Sequence, residues 1–282
     1  MTLKKLAVAL AAGASMFATG AMAAPTITNS DGAVSPFGGF DWASGSVAWT
    51  TGFALVPGDD FTLTYAGWAA NLVNTSGNPL VPFLSLLDNV ADGSYAGGPA
   101  FNTFEYTIWA TVTEKVVSCD ATSCTFTVTG GTFDIYYDTK NDGLGTAVQT
   151  NGGVGAWSGF KDGTKIISGT FDATSGNQVF NVIGANGSNS TTLTGTVNFT
   201  NAAYVNPALT GTQVTSTLQL GTAKTAVVSP TSIDGITPGV GQIVFQADAN
   251  QSLFVSVPEP GALALLGIAL AGCGWASRRR KG

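Results

Sequence analysis

The sequence predicts an all-β protein: an antiparallel sandwich-like or barrel-like passenger over residues 24–257, set between an N-terminal signal peptide and one short C-terminal hydrophobic helix. Three observations carry that prediction. Many short runs alternate apolar and polar residues with period two, and β-branched and aromatic residues dominate them. Clusters of Gly, Asn, Asp and Ser separate the runs. No amphipathic stretch of useful length shows the helical period.

The clearest strand is Thr103–Val117. It places Phe104, Tyr106, Ile108, Ala110, Val112 and Val116 on one face, and Thr103, Glu105, Thr107, Thr111, Thr113 and Lys115 largely on the other. Before it come runs at Ser46–Val56 and Phe61–Ala66, divided by Pro57-Gly-Asp-Asp. After it come Thr125–Thr129 and Thr132–Asp138, divided by Gly130-Gly131, then Lys165–Phe171, Gln178–Ile183 and Thr191–Thr200. The series ends with Gln213–Leu220, Gln242–Gln246 and Ser252–Val257. Many short strands at this spacing fit one antiparallel domain, with residues 201–240 its loosest part. Uneven strand lengths and long Gly-rich loops argue against an outer-membrane barrel. The tetrapeptide Gly-Thr-Phe-Asp occurs at 131 and again at 169. In so Gly- and Thr-rich a chain, shared strand-entry chemistry accounts for it.

The two ends read differently. Met1-Thr-Leu-Lys-Lys, an apolar run from Leu6 to Phe17 and Ala21-Met-Ala23 form the three parts of a secretory signal. Signal peptidase is expected to cut after Ala23, because a cut after Ala24 would put Pro25 directly beyond the scissile bond. At the other end, Pro258-Glu259-Pro260 precedes an uncharged stretch from Ala262 to Ala276 and the basic cluster Arg278, Arg279, Arg280 and Lys281. As a helix that stretch is about 22 Å long, against a hydrocarbon core of about 30 Å. It suits transient inner-membrane insertion, with the basic tail held in the cytoplasm, better than a permanent single-span anchor.

Pro-Glu-Pro, a short Gly/Ala/Leu-rich helix and an Arg cluster, in that order, resemble the PEP-CTERM sorting signal over residues 258–282. The resemblance implies processing near the motif by the membrane protease-transpeptidase exosortase. It also implies export to the cell surface or extracellular matrix of a Gram-negative bacterium that makes exopolysaccharide. The segment Gly131–Asp138 with the strand Ile166–Phe171 faintly resembles the passengers of flocculation-associated PEP-CTERM proteins. That implies a structural role in a polysaccharide matrix.

Charge and composition exclude several chemistries. The chain has no His, so Ser-His-Asp, Cys-His and His-metal sites are ruled out. All three Arg lie in the tail; residues 24–257 keep five Lys against sixteen acids, a net charge of −11. Such a surface repels nucleic acid and lacks the guanidinium fork for phosphate. No cofactor is implied.

Four groups of residues merit weighing as sites. Cys119 and Cys124 follow one strand and open the next, and an exported protein meets an oxidising compartment, so a structural disulfide is expected. Closing so small a loop contributes about 2 kcal/mol by chain entropy. Asp138, Asn141 and Asp142 lie in an Asp/Asn-rich turn before Gly143 and are a calcium candidate, although an EF-hand register fails at Lys140 and Gln149. An ordinary Asx turn is the competing reading. Glu105 and Glu114 are too far apart on one strand, about 30 Å, to form a glycosidase pair. Trp42, Trp49, Trp68, Trp109 and Trp157 stack on sugars if exposed, or fill a core. The reading that follows is a non-enzymatic matrix protein acting with exopolysaccharide in biofilm or floc architecture. A carbohydrate-binding module and a hydrolase with an Asp-based site are the alternatives.

Overall fold

The computed structural model describes residues 24–29, 32–34, 36–52, 56–78, 104–138, 160–161, 163–173, 177–183, 186–221 and 244–254. The expected signal peptide and C-terminal helix lie outside them. The described elements are all strands: β1 Thr26–Asn29, β2 Gly32–Val34, β3 Gly39–Thr51, β4 Asp60–Val73, β5 Glu105–Cys119, β6 Ser123–Asp138, β7 Thr164–Phe171, β8 Asn177–Ile183, β9 Asn186–Thr200, β10 Val205–Asn206, β11 Gln213–Leu220 and β12 Val244–Phe254.

Of the two architectures the sequence left open, the structure takes the barrel. β3, β4, β5, β6, β7, β9, β11 and β12 pair antiparallel in that order, and β12 returns to pair with β3. The ring is an eight-stranded up-and-down barrel. β8 extends the stave of β7: it pairs with Ser123–Thr127 of β6 and with the start of β9. β1, β2 and β10 form a small separate sheet. Its Ile27 and Val205 are fully buried in the same core as Phe37, Phe104 and Tyr137.

Period-two alternation is what fills the barrel. Tyr106, Ile108, Ala110 and Val112 of β5 enter one contiguous core with Trp42 and Phe40 of β3, Phe133 and Ile135 of β6 and Leu218 of β11. Each large side chain so buried contributes about 1.5–3 kcal/mol. Phe40 stacks on Trp42 with centroids 4.7 Å apart. The interior is mainly apolar, with Glu114 and Ser216 among its polar members, and much of the outer wall carries hydroxyls. This is the reverse of a membrane barrel, which turns its apolar band outward.

Three pairs of sequence features merge in the structure. Gly130-Gly131 is not a turn: Thr125–Thr129 and Thr132–Asp138 are one strand, β6. Gly130 has φ of 152°, and the register against β5 shifts between Thr113 and Glu114, so the glycine makes a bulge rather than a reversal. The described parts of the runs Gln242–Gln246 and Ser252–Val257 likewise belong to one strand, β12, with a bulge between Ala247 and Ala249. The two Gly-Thr-Phe copies pair with each other. Gly131 faces Phe171, Thr132 faces Thr170 and Phe133 faces Gly169. Each glycine leaves room for the other copy's ring, and the Phe133 and Phe171 rings pack 5.3 Å apart.

A Cβ at Gly169 would overlap the Thr196 carbonyl oxygen and the Phe133 ring. Gly169→Ala is therefore expected to lower the unfolding free energy by about 1–3 kcal/mol through overpacking. Urea denaturation of the variant and the wild type measures the difference; equal midpoints would show that β7 can move away from β9 at no cost.

Candidate functional site

Trp42, Ile108, Ala110, Phe171, Leu193 and Leu218 surround a cavity of about 20 Å³, on the scale of one water. At the wall, the Tyr65 and Ser46 hydroxyls converge on Gly67, where an added Cβ would lie 2.5 Å and 2.6 Å from them. Burial pushes the Tyr65 phenol far up, while the Ser46 hydroxyl beside it works in the opposite direction.

The tryptophans do not form an exposed row. Trp42 is interior. Trp49 and Trp68 join Val47, Ala66 and Phe160 in a second hydrophobic cluster on the outside of β3 and β4, with Trp109 packed against it. Lys161 sits over the Trp109 ring, 3.9 Å from its centroid. Trp157 lies outside the described residues. Next to this cluster, Lys165 pairs with Asp134 at 2.9 Å, and the Tyr136 hydroxyl donates to the same carboxylate at 3.4 Å. Burial, then the Asp134 charge, push the Tyr136 phenol up to about 12.

Cys119 and Cys124 face each other across the β5–β6 hairpin, and a disulfide joins them with Cα atoms 4.1 Å apart. The turn inside it is held by Asp120, which accepts from the Thr122 amide at 2.7 Å, the Thr122 hydroxyl at 2.8 Å and the Ser123 amide at 2.8 Å. Those donors lower its pKa, the Thr122 amide most of all. Asp138 is buried at the end of β6, directly across from Glu105. Asn141 and Asp142, its partners in the calcium candidate, lie outside the described residues. Glu105 and Glu114 are both buried. Alternation alone would have put Glu105 on the solvent side. Glu114 faces inward by the unbroken alternation of β5, on the face that carries Ala110, Val112 and Val116.

Sequence reasoning missed a carboxylate pair. Asp41 on β3 and Asp248 on β12 lie beside their strands' matching bulges, and Asn71 donates to Asp41 at 3.2 Å. Burial first, then the Asp41 charge, raise the Asp248 pKa above 3.8, against the Ala249 amide. Residues some 200 positions apart in the chain leave no local signal of this kind; only closure of the barrel by β12 brings them together.

The C-terminal segment is decided by comparison. Residues 256–281 match the PEP-CTERM protein-sorting motif. The chain carries an exosortase sorting tag. No curated protein and no solved structure matches the chain. The PEP-CTERM motif makes this a secreted protein, exported through the membrane to the cell surface, with exosortase as its processing partner. Pro258, Glu259, Pro260 and the basic residues Arg278–Lys281 all fall inside the matched segment. The signal-cleavage residues Ala21 and Ala23 lie outside the described residues, whereas Ala24 is described and exposed.

Asp248 gives a pH prediction whose sign follows from its raised folded-state pKa. Its ionised form is disfavoured by folding, so it opposes stability at neutral pH, and that opposition disappears below its unfolded value of 3.8. Asp248→Asn should therefore be more stable than wild type at pH 7 and match it near pH 3. Denaturation midpoints across that range test this. A variant less stable at pH 7, or a difference independent of pH, refutes it.

Proposed function

We propose that the mature protein is a non-enzymatic component of the extracellular matrix of a Gram-negative bacterium, acting with exopolysaccharide in biofilm or floc architecture. The observation that carries this reading is the sorting tag at 256–281. It is supported by a barrel whose interior is filled by its own side chains and by a wall rich in neutral hydroxyls. The acidic passenger has little to offer an anionic polymer without a bridging cation. Co-sedimentation of the secreted protein with the host's own exopolysaccharide, with and without calcium, tests it. Recovery of the protein in the supernatant under both conditions would end this reading.

One observation favours a hydrolase instead, the Asp41–Asp248 pair, since paired carboxylates are the machinery of glycoside hydrolysis. Release of reducing sugar from the same polysaccharide, lost in Asp41→Asn and in Asp248→Asn, would decide for that alternative.

The tag makes a separate prediction. Pro258 and Pro260 disfavour helix in the residues before them and keep the segment extended for a protease. The mature chain is expected to end near Pro258–Gly261 and to lack Arg278–Lys281. Mass spectrometry of surface and matrix fractions reads this out, and a strain without exosortase should accumulate the full-length form in its inner membrane. Surface peptides running intact through Ser277 would instead identify a permanent anchor.

A further inference from the structure

The outward face of β9, β11 and β12 is a grid of neutral hydrogen-bonding groups. Register sets Thr194, Thr215 and Ser252 in one row and Thr192, Thr217 and Asn250 in the next. The grid repeats at about 4.8 Å across the strands and about 6.8 Å along them. All six side chains are exposed or partly exposed. Thr194 donates to Asp172 at 3.2 Å. Among the described residues, no side-chain hydrogen bond engages the other five. Elsewhere on the outer wall some hydroxyls are engaged with each other. Thr111 and Thr132 bond each other at 3.0 Å, Thr129 donates to Thr113 at 3.1 Å, and Trp49 and Trp68 belong to one apolar cluster on β3 and β4.

We infer that this β9–β11–β12 face is where the protein docks a neutral, hydroxyl-rich polysaccharide chain. The inference rests on the matrix role proposed above and assigns it a surface. Charge selects the occupant. A protein with a net charge of −6 over the whole chain, and −11 over residues 24–257, repels an anionic glycan. The face itself has carboxylates only at its margins, Asp172 beside Thr194 and Asp248 beyond Asn250. Its chemistry also excludes a hydrophobic partner, because every side chain in the six-residue grid is polar. What it does offer is a set of donors and acceptors without internal partners, fixed on a sheet whose backbone groups are already paired on both sides of β11. A chain of sugar hydroxyls can exchange its water for them with little ordering cost, since β-branched threonines on a strand are stiff.

The test is native affinity electrophoresis of the mature secreted protein in gels containing dextran or a soluble β-glucan as neutral probes, and alginate as the anionic one. Retardation by a neutral probe is expected. The triple variant Thr192→Val, Thr215→Val, Thr217→Val keeps shape and strand propensity but removes three hydroxyls, and should weaken that binding at least fivefold. Thr111→Val with Thr132→Val, on another part of the wall, should leave it unchanged. Thermal unfolding checks the fold. If the triple variant does not fold, Thr217→Val with Asn250→Ala reads the same face. Wild-type binding that the variants leave intact overturns this surface while the matrix reading stands. Retardation by alginate alone overturns the neutral occupant. Binding to none of the three probes, together with failure to co-sediment with the host polysaccharide, overturns both.

Discussion

Everything in the barrel depends on β12. It is the strand that pairs with β11 on one side and with β3 on the other, and without it the remaining strands form an open sheet with two raw edges. An open edge presents unpaired amides and carbonyls to any passing chain. Closure satisfies them, and it also encloses the volume that Trp42, Tyr106, Phe133 and Leu218 must fill. The pairing of first and last barrel strands is a long-range contact, so its loop-closure entropy is met only when the rest of the meander is in place. The matching irregularities of β3 and β12, near Trp42–Val47 and Ala247–Ala249, are where the closing strand adapts to the curvature of the first.

Inside the ring, space is shared out by pairing large residues against none. The Gly-Thr-Phe copies of β6 and β7 show the device plainly. Antiparallel pairing sets each Phe opposite the other copy's Gly, so two aromatic rings share one layer without collision. Gly67 performs the same service for Tyr65 and Ser46. These glycines weaken the local strand propensity, and the packing they permit compensates. The cavity lined by Trp42, Ile108 and Leu218 is of the size of one water.

The outer wall is divided by chemistry. Around β3 and β4 an aromatic cluster is buried under Phe160, with Lys161 over Trp109. Around β9, β11 and β12 the wall is hydroxyl and amide. The disulfide-bonded hairpin of Cys119 and Cys124 adds a covalent register pin to β5 and β6, the most extensively paired strands. A closed sheet leaves no barrel edge open, and a short covalent loop limits how far the hairpin can separate.

The sequence by itself determined the address and the fold class. A tag is a linear signal, read from Pro258-Glu259-Pro260 and the Arg cluster without folding. Alternation along Thr103–Val117 likewise sorts inside from outside one residue at a time. Both are local, and local order is what a sequence displays. The Cys119–Cys124 bond was legible for the same reason, with only four residues between the partners. Tertiary structure alone decided between sandwich and barrel, because closure is a pairing between strands at opposite ends of the passenger. It alone turned Gly130-Gly131 from a turn into a bulge. It also brought Asp41 beside Asp248 and set Thr192, Thr215 and Asn250 on one face. Each of these depends on register between strands distant in the chain, and register is fixed by which side chains fit together in three dimensions rather than by the order in which they are written.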